Sequence, residues 1–315
     1  MASRSDGIRA VAEKILITGA AGFTGAYLAR ALQQQGHDVH GLVHKPEESL
    51  EPFVHRHLCD LMNPKMLTET LSLIQPSKIV HLAAISFVAH GNIEDIYRTN
   101  VLGSRNLLQA VVESATNPSA ILMASSANIY GNQSGGILTE DHPAAPANDY
   151  AVSKIAMEYL CKVYEGRLPI IITRPFNYTG AGQNDNFLIA KIVDHISCGA
   201  PEIELGNLDV ARDFSDVRAI TAAYTALLNA PLAIGRTFNI CSGRAHSLRD
   251  LLEMAQTSSG HSIHVKTNPA FVRHNEVQTL VGSRDRLDDL IPDLPNIPIE
   301  QTIGWMLKYN SRPQS

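Results

Sequence analysis

The chain has 315 residues, of which 44% are hydrophobic and 18% charged, and this composition predicts a globular protein with a sizeable core. Its 26 Lys and Arg and 31 Asp and Glu give a net charge of -5 without long runs of one sign, which argues against a nucleic-acid or membrane-surface partner. No apolar run reaches membrane-spanning length, and the first thirteen residues resemble a loose leader more than a signal peptide. The four cysteines lack CxxC spacing, which favours reduced thiols and a cytoplasmic location.

Strands and helices alternate through the first half of the chain. Short β-branched runs predict strands, and segments with helical periodicity predict the helices between them. In chain order these are a strand at Lys14–Thr18, a helix from Phe23, a strand at Asp38–Val43, a helix near Met66–Ile74, a strand at Ile79–Ala83, a helix from Asn100, a strand at Ala120–Ser125, a helix at Tyr150–Tyr164 and a strand at Pro169–Thr173. This order predicts an α/β fold of the Rossmann type, with a doubly wound parallel sheet.

The second half of the chain is less regular. A helix at 187–198 and a Gly-Asn turn at 206–207 precede a helix at 216–229 and a strand at 237–240 that are expected to return to the main sheet. We therefore expect a Rossmann domain of residues 1–178 plus about 209–242. Residues 179–208 and 243–315, approximately, should form a smaller discontinuous C-terminal substrate lobe.

The stretch TGAAGFTG lies where the first strand passes into the first helix. A glycine there allows a sharp turn, a second lets a pyrophosphate approach the main chain, and a third lets helix and strand pack closely. Strand, spacing and helix coincide, so dinucleotide binding is the favoured interpretation. The predicted contacts in this stretch are Gly19, Gly22, Phe23, Thr24 and Gly25.

The end of the second strand bears on which dinucleotide binds. NAD-preferring sites usually carry an Asp or Glu there for the ribose 2′-hydroxyl, but this strand ends in Val43 and is followed by His44 and Lys45. Two cationic side chains would attract a 2′-phosphate, so NADP(H) is favoured and NAD(H) is the alternative. A merely solvated loop is the competing explanation for His44 and Lys45.

Tyr150 and Lys154 are four residues apart on a predicted helix, which places both side chains on one face. A positive charge beside a phenol favours the phenolate and would make Tyr150 a proton shuttle. The strand at 120–125 ends in Ser125 and Ser126, at the edge where open α/β sheets bind ligands. A Tyr and a Lys at this spacing are common by chance, and the flanking serines make the pair significant.

Taken together, the motifs resemble extended short-chain dehydrogenase/reductases that modify nucleotide sugars. They are TGAAGFTG, HLAA at 81–84, TNV at 99–101, SSANIYG at 125–131, YAVSK at 150–154 and RPFN at 174–177. The resemblance implies that Ser126 hydrogen-bonds the sugar carbonyl, that Tyr150 transfers its proton, and that Lys154 tunes Tyr150 and holds the nicotinamide ribose. It also implies cofactor contacts at Asp60, Leu61, Leu82, Ala83, Ala84, Asn100 and Pro175, and substrate contacts at Ser86, Asn177 and Lys191.

The positions beside Ser126 bear on the reaction. Related 4,6-dehydratases place an acid and a base where this chain has Ala127 and Asn128, and epimerases usually have an acidic residue at the position of Val43. A reductase needs only hydride, Tyr and Lys. A 4-epimerase or dehydratase stays the alternative, and a non-catalytic dinucleotide-binding regulator is a remote one.

Later segments resemble GDP-4-keto-6-deoxy-D-mannose reductases, which form GDP-D-rhamnose. This likeness implies that Arg212 and Arg273 clamp the diphosphate and that Glu276 binds a ribose or the base. For Arg212, an ion pair with the adjacent Asp213 is the competing explanation. The likeness also implies a homodimer formed through a four-helix bundle by the helices from Asn100 and Tyr150.

A metal site is not predicted. His55 and His57 alternate on an expected strand, without other ligands at suitable spacing.

Overall fold

A computed structural model describes residues 12–86, 92–132, 136–271 and 278–311. The strands of these residues, in chain order, are β1 (Lys14–Thr18), β2 (Asp38–Val43), β3 (His55–Leu58), β4 (Lys78–His81), β5 (Ala120–Ala124), β6 (Ile137–Leu138), β7 (Ile170–Pro175), β8 (Asn177–Thr179), β9 (Glu202–Leu205), β10 (Ala211–Asp216), β11 (Thr237–Ile240), β12 (Ala245–Ser247), β13 (His264–Thr267) and β14 (Thr279–Gly282).

The α-helices alternate with these strands. They are α1 (Phe23–Gln34), α2 (Pro64–Ile74), α3 (Ile93–Tyr97), α4 (Ser104–Glu113), α5 (Asp149–Val163), α6 (Leu188–Ser197), α7 (Val217–Leu228), α8 (Leu248–Ser259), α9 (Asp285–Leu290) and α10 (Ile299–Asn310).

Seven parallel strands form the main sheet, in the order β11-β7-β5-β4-β1-β2-β3. The order reverses at β1 and β4, so the chain winds outward in both directions from this point. Such a switch point opens a crevice at the carboxyl ends of the strands. The predicted α/β fold with a doubly wound parallel sheet is confirmed.

The central strands are buried because helices cover both faces of the sheet. All five residues of β5 are buried, as are all four of β4. One hydrophobic cluster joins the sheet to α1 and α7, and a second joins it to α2, α4 and α5. Burial on both faces explains why β-branched runs, and not alternating patterns, marked these strands in the sequence.

The helix predicted from Asn100 begins earlier than expected. Helix α3 starts at Ile93, and a π-helical stretch, Arg98–Gly103, connects it directly to α4. The π-helical stretch contains Asn100, whose side chain is buried. Such stretches are rare, and they frequently occur at functional sites.

A smaller sheet and a separate hydrophobic cluster lie beside the main sheet. The smaller sheet has the order β12-β10-β14-β6, with β8 paired to β10, while β9 pairs with β13. The separate cluster is formed by residues of α6, α8 and α10. Strand β10 lies in this smaller sheet, whereas α7 and β11 belong with the main sheet. The division into a Rossmann domain and a substrate lobe, at the boundaries given above, stays our proposal.

Within the described part of the chain, no helix has the length and apolar character needed to cross a membrane. The four cysteines are free thiols, and Cys198 is exposed while Cys59, Cys161 and Cys241 are buried.

Candidate active site

A cavity of about 810 Å³ lies at the carboxyl ends of the main-sheet strands and extends to residues of the smaller sheet and the segments beside it. Its volume is in the range of small-molecule and cofactor sites. Predicted site residues from distant parts of the sequence line it together: Gly19, Gly22, Phe23, Thr24, Gly25, Leu82, Ala84, Ser86, Ser126, Tyr150, Lys154, Pro175, Asn177, Lys191 and Arg212.

The glycine stretch forms a tight turn between β1 and α1. Gly19 has φ of +71°, and a side chain there would place its Cβ 2.8 Å from the amide nitrogen of Ala83. A Cβ on Gly25 would collide with the carbonyl oxygen of Gly19. The turn therefore requires glycine for two reasons, a left-handed backbone and close approach of neighbouring chain segments.

The N-terminus of α1 opens onto this cavity. Its N-cap residue is Gly22, which provides no side-chain cap, and the first turn contains no acidic residue. The first backbone N–H groups of the helix are therefore available to an anion, and the helix dipole favours negative charge there. These features fit the pyrophosphate of a dinucleotide.

Tyr178 adds a contact at this helix end that the sequence analysis did not assign. Its hydroxyl lies 2.8 Å from Oγ1 of Thr24, and its ring stacks on Phe23 with 6.5 Å between ring centroids. Tyr178 lines the cavity, and burial raises the pKa of its hydroxyl. It therefore connects β8 to the glycine turn. A tyrosine within the stretch after RPFN was visible in the sequence, but nothing there indicated that it faces Thr24.

Ser126, Tyr150 and Lys154 meet at the end of β5. The Ser126 side chain hydrogen-bonds Tyr150, and the Lys154 ammonium lies 5.8 Å from the centroid of the Tyr150 ring. Lys154 Nζ donates a hydrogen bond of 2.7 Å to the carbonyl oxygen of Ala124. All three side chains are buried. The helical spacing of Tyr150 and Lys154 thus places them in one site, as expected.

The protonation of this group differs from the simple expectation of a phenolate. Burial raises the pKa of Tyr150 above its ordinary value of 10, and the hydrogen bond with Ser126 opposes this only partly. Burial also lowers the pKa of Lys154 from 10.5 to about 8, while the charge of Glu158 acts in the opposite direction. Near neutral pH, Tyr150 is therefore a phenol that can donate a proton, beside a lysine that is mostly charged.

A buried ion pair connects α5, which carries Tyr150 and Lys154, to the neighbouring strand β7. The Arg174 guanidinium binds the Glu158 carboxylate through Nη2 at 2.7 Å and Nε at 3.0 Å. Ser125 donates a hydrogen bond of 2.5 Å to the same carboxylate, and Arg174 also donates to the hydroxyl of Tyr130. Ser125 therefore anchors the end of β5, while Ser126 faces the cavity. The sequence analysis assigned no role to Glu158, although it follows Lys154 at helical spacing.

Residues 82–86 are fixed by buried side chains on three sides. The side chain of Asn100 accepts from the amide of Ile85 and donates to its carbonyl and to Ser153 Oγ. His81 Nδ1 lies 2.7 Å from Oγ1 of Thr18, which in turn accepts from the amide of Ala83. Burial lowers the pKa of His81 to about 3, so this imidazole is neutral. Asn100 and Ala83 thus shape the cavity wall without lining it.

Besides Ala83 and Asn100, four more predicted cofactor residues lie outside the cavity lining: His44, Lys45, Asp60 and Leu61. His44 Nδ1 is 2.5 Å from the Glu48 carboxylate, and Asp60 accepts from the amide of Met62 in the turn before α2. Their positions after β2 and β3 agree with the predicted strands. Their roles toward a cofactor stay predictions.

Two predicted substrate residues bind backbone carbonyl groups. Asn177 Nδ2 donates to the carbonyl oxygen of Asp213, and Lys191 Nζ donates to the carbonyl oxygen of Glu204. Asp213 is fully buried, and its carboxylate accepts from Ser242 and Gly243. Two predicted substrate residues, Arg273 and Glu276, lie outside the described residues.

Further residues of the smaller lobe line the cavity although the sequence analysis assigned them no contact. They include Gln183, Asn186, Phe187, Glu204, Asn207 and Phe271. Most of these residues lie in irregular segments, where no periodicity indicates which side chains face a ligand, whereas Glu204 lies on β9.

The histidines set aside in the sequence form local contacts on the edge of the main sheet. His55 Nε2 lies 3.0 Å from the carboxylate of Asp38, and His57 Nε2 lies 3.0 Å from Nδ1 of His40. Asp38 is a nearby carboxylate that the sequence spacing did not reveal.

The parallel sheet, the glycine turn and the Ser126, Tyr150 and Lys154 group define an extended short-chain dehydrogenase/reductase. Within that class the chain belongs to the GDP-mannose 4,6 dehydratase family, whose model matches residues 16–306. The predicted likeness to nucleotide-sugar-modifying enzymes of this class is confirmed.

Two similar proteins and two solved structures refine this placement. GDP-6-deoxy-D-talose 4-dehydrogenase of Aggregatibacter actinomycetemcomitans is 35% identical over 87% of this chain and 90% of its own. GDP-6-deoxy-D-mannose reductase of Pseudomonas aeruginosa is 33% identical over 94% of this chain and 96% of its own. A solved structure of RMD from Pseudomonas aeruginosa complexed with NADPH has a TM-score of 0.82 and 31% identity, covering 95% of this chain and 99% of that one. That of a proposed epimerase from Burkholderia cenocepacia has a TM-score of 0.90 and 46% identity, covering 95% of this chain and 98% of that one.

Proposed function

We propose that this protein is an NADPH-dependent reductase that converts the C4 keto group of GDP-4-keto-6-deoxy-D-mannose to the hydroxyl of GDP-D-rhamnose. The observation that supports it best is the composition of the cavity around Ser126. Tyr150 and Lys154 line the cavity with Ser126, whereas the next two positions are Ala127 and Asn128. Neither side chain exchanges a proton near neutral pH, so the site is equipped for reduction and not for the elimination of water.

The relatives support the nucleotide and the cofactor. Two of them are named for GDP-linked 6-deoxy sugars, and one solved relative is complexed with NADPH. The glycine turn and the uncapped N-terminus of α1 would hold the pyrophosphate of this cofactor. When bound, NADPH supplies the hydride.

The protein side chains supply the proton and the charge. Tyr150 is kept protonated by burial, and its hydroxyl can therefore donate a proton to the oxygen of the reacting carbonyl. Ser126, which hydrogen-bonds Tyr150, would orient that oxygen with a second hydroxyl. The ammonium of Lys154 stabilises the negative charge that Tyr150 acquires as it gives up the proton.

Arg212 and Lys191 are proposed to meet the diphosphate and sugar of the substrate. Both line the cavity on the side of the smaller lobe, away from the glycine turn. A planar guanidinium suits a diphosphate because it offers several donors in a fixed fork. We propose that Arg273 and Glu276 complete this half of the site.

We test the reaction by following NADPH oxidation with GDP-4-keto-6-deoxymannose beside its dTDP and UDP counterparts. Turnover with the GDP sugar alone would support the proposal, and NMR of the product would distinguish GDP-D-rhamnose from the talose epimer. Tyr150→Phe should strongly reduce turnover, whereas Tyr309→Phe is the control, because Tyr309 is a half-exposed tyrosine on α10 that does not line the cavity. Absence of turnover with every substrate would contradict the proposal.

A 4-epimerase is the second candidate, and the likeness to the proposed epimerase from Burkholderia cenocepacia favours it. An epimerase should retain a bound dinucleotide on purification and convert its sugar without net cofactor oxidation. Stoichiometric oxidation of added NADPH would exclude it.

We also propose that the protein is a homodimer formed through α4 and α5. Helix α5 and the π-helical stretch before α4 expose apolar side chains at Leu102, Val152, Tyr159 and Val163. An apolar face of this kind is typical of a subunit interface. Val163→Asp should yield monomers in light scattering, and an unchanged mass would argue against this interface.

A further inference from the structure

The loop after β2 contains a carboxylate, that of Glu48, although the strand itself ends in the apolar residue Val43. The strand ends in Val43, and Glu48 follows five residues later on an exposed turn. In dinucleotide-binding folds, the carboxyl end of this strand is where an acidic residue meets the ribose 2′-hydroxyl. No acidic residue occupies the end of this strand in the sequence, but the fold of the loop places the Glu48 carboxylate against His44, the residue that follows the strand.

Glu48 folds back onto His44 through both carboxylate oxygens. Oε2 accepts from the backbone N–H of His44 at 3.2 Å, and Oε1 lies 2.5 Å from its Nδ1. The His44 side chain is 59% exposed and that of Glu48 22% exposed, so both can meet a ligand from solvent. Two of the three groups with which His44 could donate to a 2′-phosphate, its backbone N–H and Nδ1, are therefore already engaged by a carboxylate.

This arrangement is held by the neighbouring strand. The guanidinium of Arg56, on β3, donates to the carbonyl oxygens of Pro46 and Glu48. The amide of Glu48 also bonds the carbonyl of Lys45 at 3.3 Å, which closes the loop into a turn. Glu48 is thus positioned by backbone contacts, and its side chain is not a freely solvated one.

We propose that Glu48 determines how strongly this enzyme prefers NADPH over NADH. The proposal rests on the dinucleotide-dependent function proposed above and adds a residue to it. Glu48 repels a 2′-phosphate and engages the backbone N–H and Nδ1 of His44, whereas it can accept a hydrogen bond from the 2′-hydroxyl of NADH. The preference expected from His44 and Lys45 alone is therefore reduced, and NADH stays usable.

The test is a binding titration of the full-length protein with NADPH and with NADH, followed by nicotinamide fluorescence. Glu48→Gln removes the charge and keeps the shape of the side chain. We expect NADPH to bind about 10-fold more tightly to this variant, since one carboxylate charge then no longer faces a nearly divalent phosphate at about 6 Å in water. NADH should bind no more tightly than before.

Glu47→Gln is the matched control because Glu47 is the adjacent exposed carboxylate on the same loop. It removes the same charge and should change the ratio of the two dissociation constants less than 2-fold. The effect of Glu48→Gln should also shrink as salt rises from 0.05 to 0.5 M, since the interaction is between exposed charges.

Two results would overturn the inference, and they differ in what they imply. If both cofactors bind the wild type and Glu48→Gln leaves their ratio unchanged, Glu48 has no role in cofactor preference and the proposed reductase function stands. If neither NADPH nor NADH binds the wild type, the proposed function fails as well.

Discussion

Replacing Glu158 with Gln should weaken both the stability and the active-site chemistry. The Glu158 carboxylate is buried and binds Arg174 through two bonds of 2.7 and 3.0 Å, and it also accepts a bond from Ser125. Removing one partner of a buried ion pair costs about 3–5 kcal/mol, because the other charge is left without compensation. Gln retains one acceptor, so we expect a loss near the lower limit, about 3 kcal/mol, in the free energy of unfolding.

The same substitution should change the pH dependence of catalysis. Glu158 raises the pKa of Lys154 and so partly offsets the effect of burial, which lowers it to about 8. Without this charge the pKa of Lys154 falls further, and a smaller fraction of the lysine is protonated at a given pH. We therefore expect kcat/KM for reduction to decline at a lower pH in Glu158→Gln than in the wild type.

Urea denaturation and a pH profile measured on the folded variant would check these two effects. Glu165→Gln is a suitable control, because Glu165 is an exposed carboxylate just beyond the same helix. Ser125→Ala is a milder perturbation that removes one bond to Glu158 and should cost about 1 kcal/mol. An unfolding free energy of Glu158→Gln within 1 kcal/mol of wild type would refute the account of the ion pair. If kcat/KM of Glu158→Gln declines at the same high pH as that of the wild type, the expected effect of Glu158 on the pKa of Lys154 is refuted.

Three further predictions follow from the site. Tyr150→Phe should lower kcat by 10²- to 10⁴-fold while NADPH still binds, because only the proton donor is lost; equal losses in cofactor affinity would point to a structural role instead. Wild-type reductase activity should fall as pH rises through about 8, where Lys154 loses its proton; Tyr150 keeps its proton there, because its pKa lies above 10. A rate that does not change between pH 6 and pH 10 would contradict this. Gly19→Ala should cost about 1–3 kcal/mol in unfolding free energy through its positive φ and its clash with Ala83, and it should weaken NADPH binding in a titration; Gly36→Ala, also at positive φ but in open space, should affect stability without affecting the cofactor.

The main sheet could be predicted from the sequence because its strands are buried on both faces. Residues 14–18 contain a continuous apolar run, and residues 38–43 and 237–240 contain β-branched residues. The structure assigns strands over these same ranges. The helix predicted from Asn100 was placed too late, because the π-helical stretch shifts the periodicity that marks a regular helix.

The meeting of Ser126, Tyr150 and Lys154 in one cavity could also be predicted, because Ser126 lies at a strand end and the other two are at helical spacing. Their catalytic roles stay predictions. Their protonation could not be predicted, since the pKa of Tyr150 depends on burial that no local spacing reveals. Tyr178 was missed for a related reason. It contacts Thr24, which lies far away in the sequence.

The most direct test of the proposed reaction is the fate of a deuterium label on C4 of the NADPH nicotinamide. The protein would be incubated with GDP-4-keto-6-deoxymannose and NADPH labelled on one face and then on the other, and the product examined by NMR. The account predicts one deuterium at C4 of the sugar from one of the two labelled cofactors, with one NADPH oxidised per product. A sugar product without label, formed without net oxidation of NADPH, would contradict it.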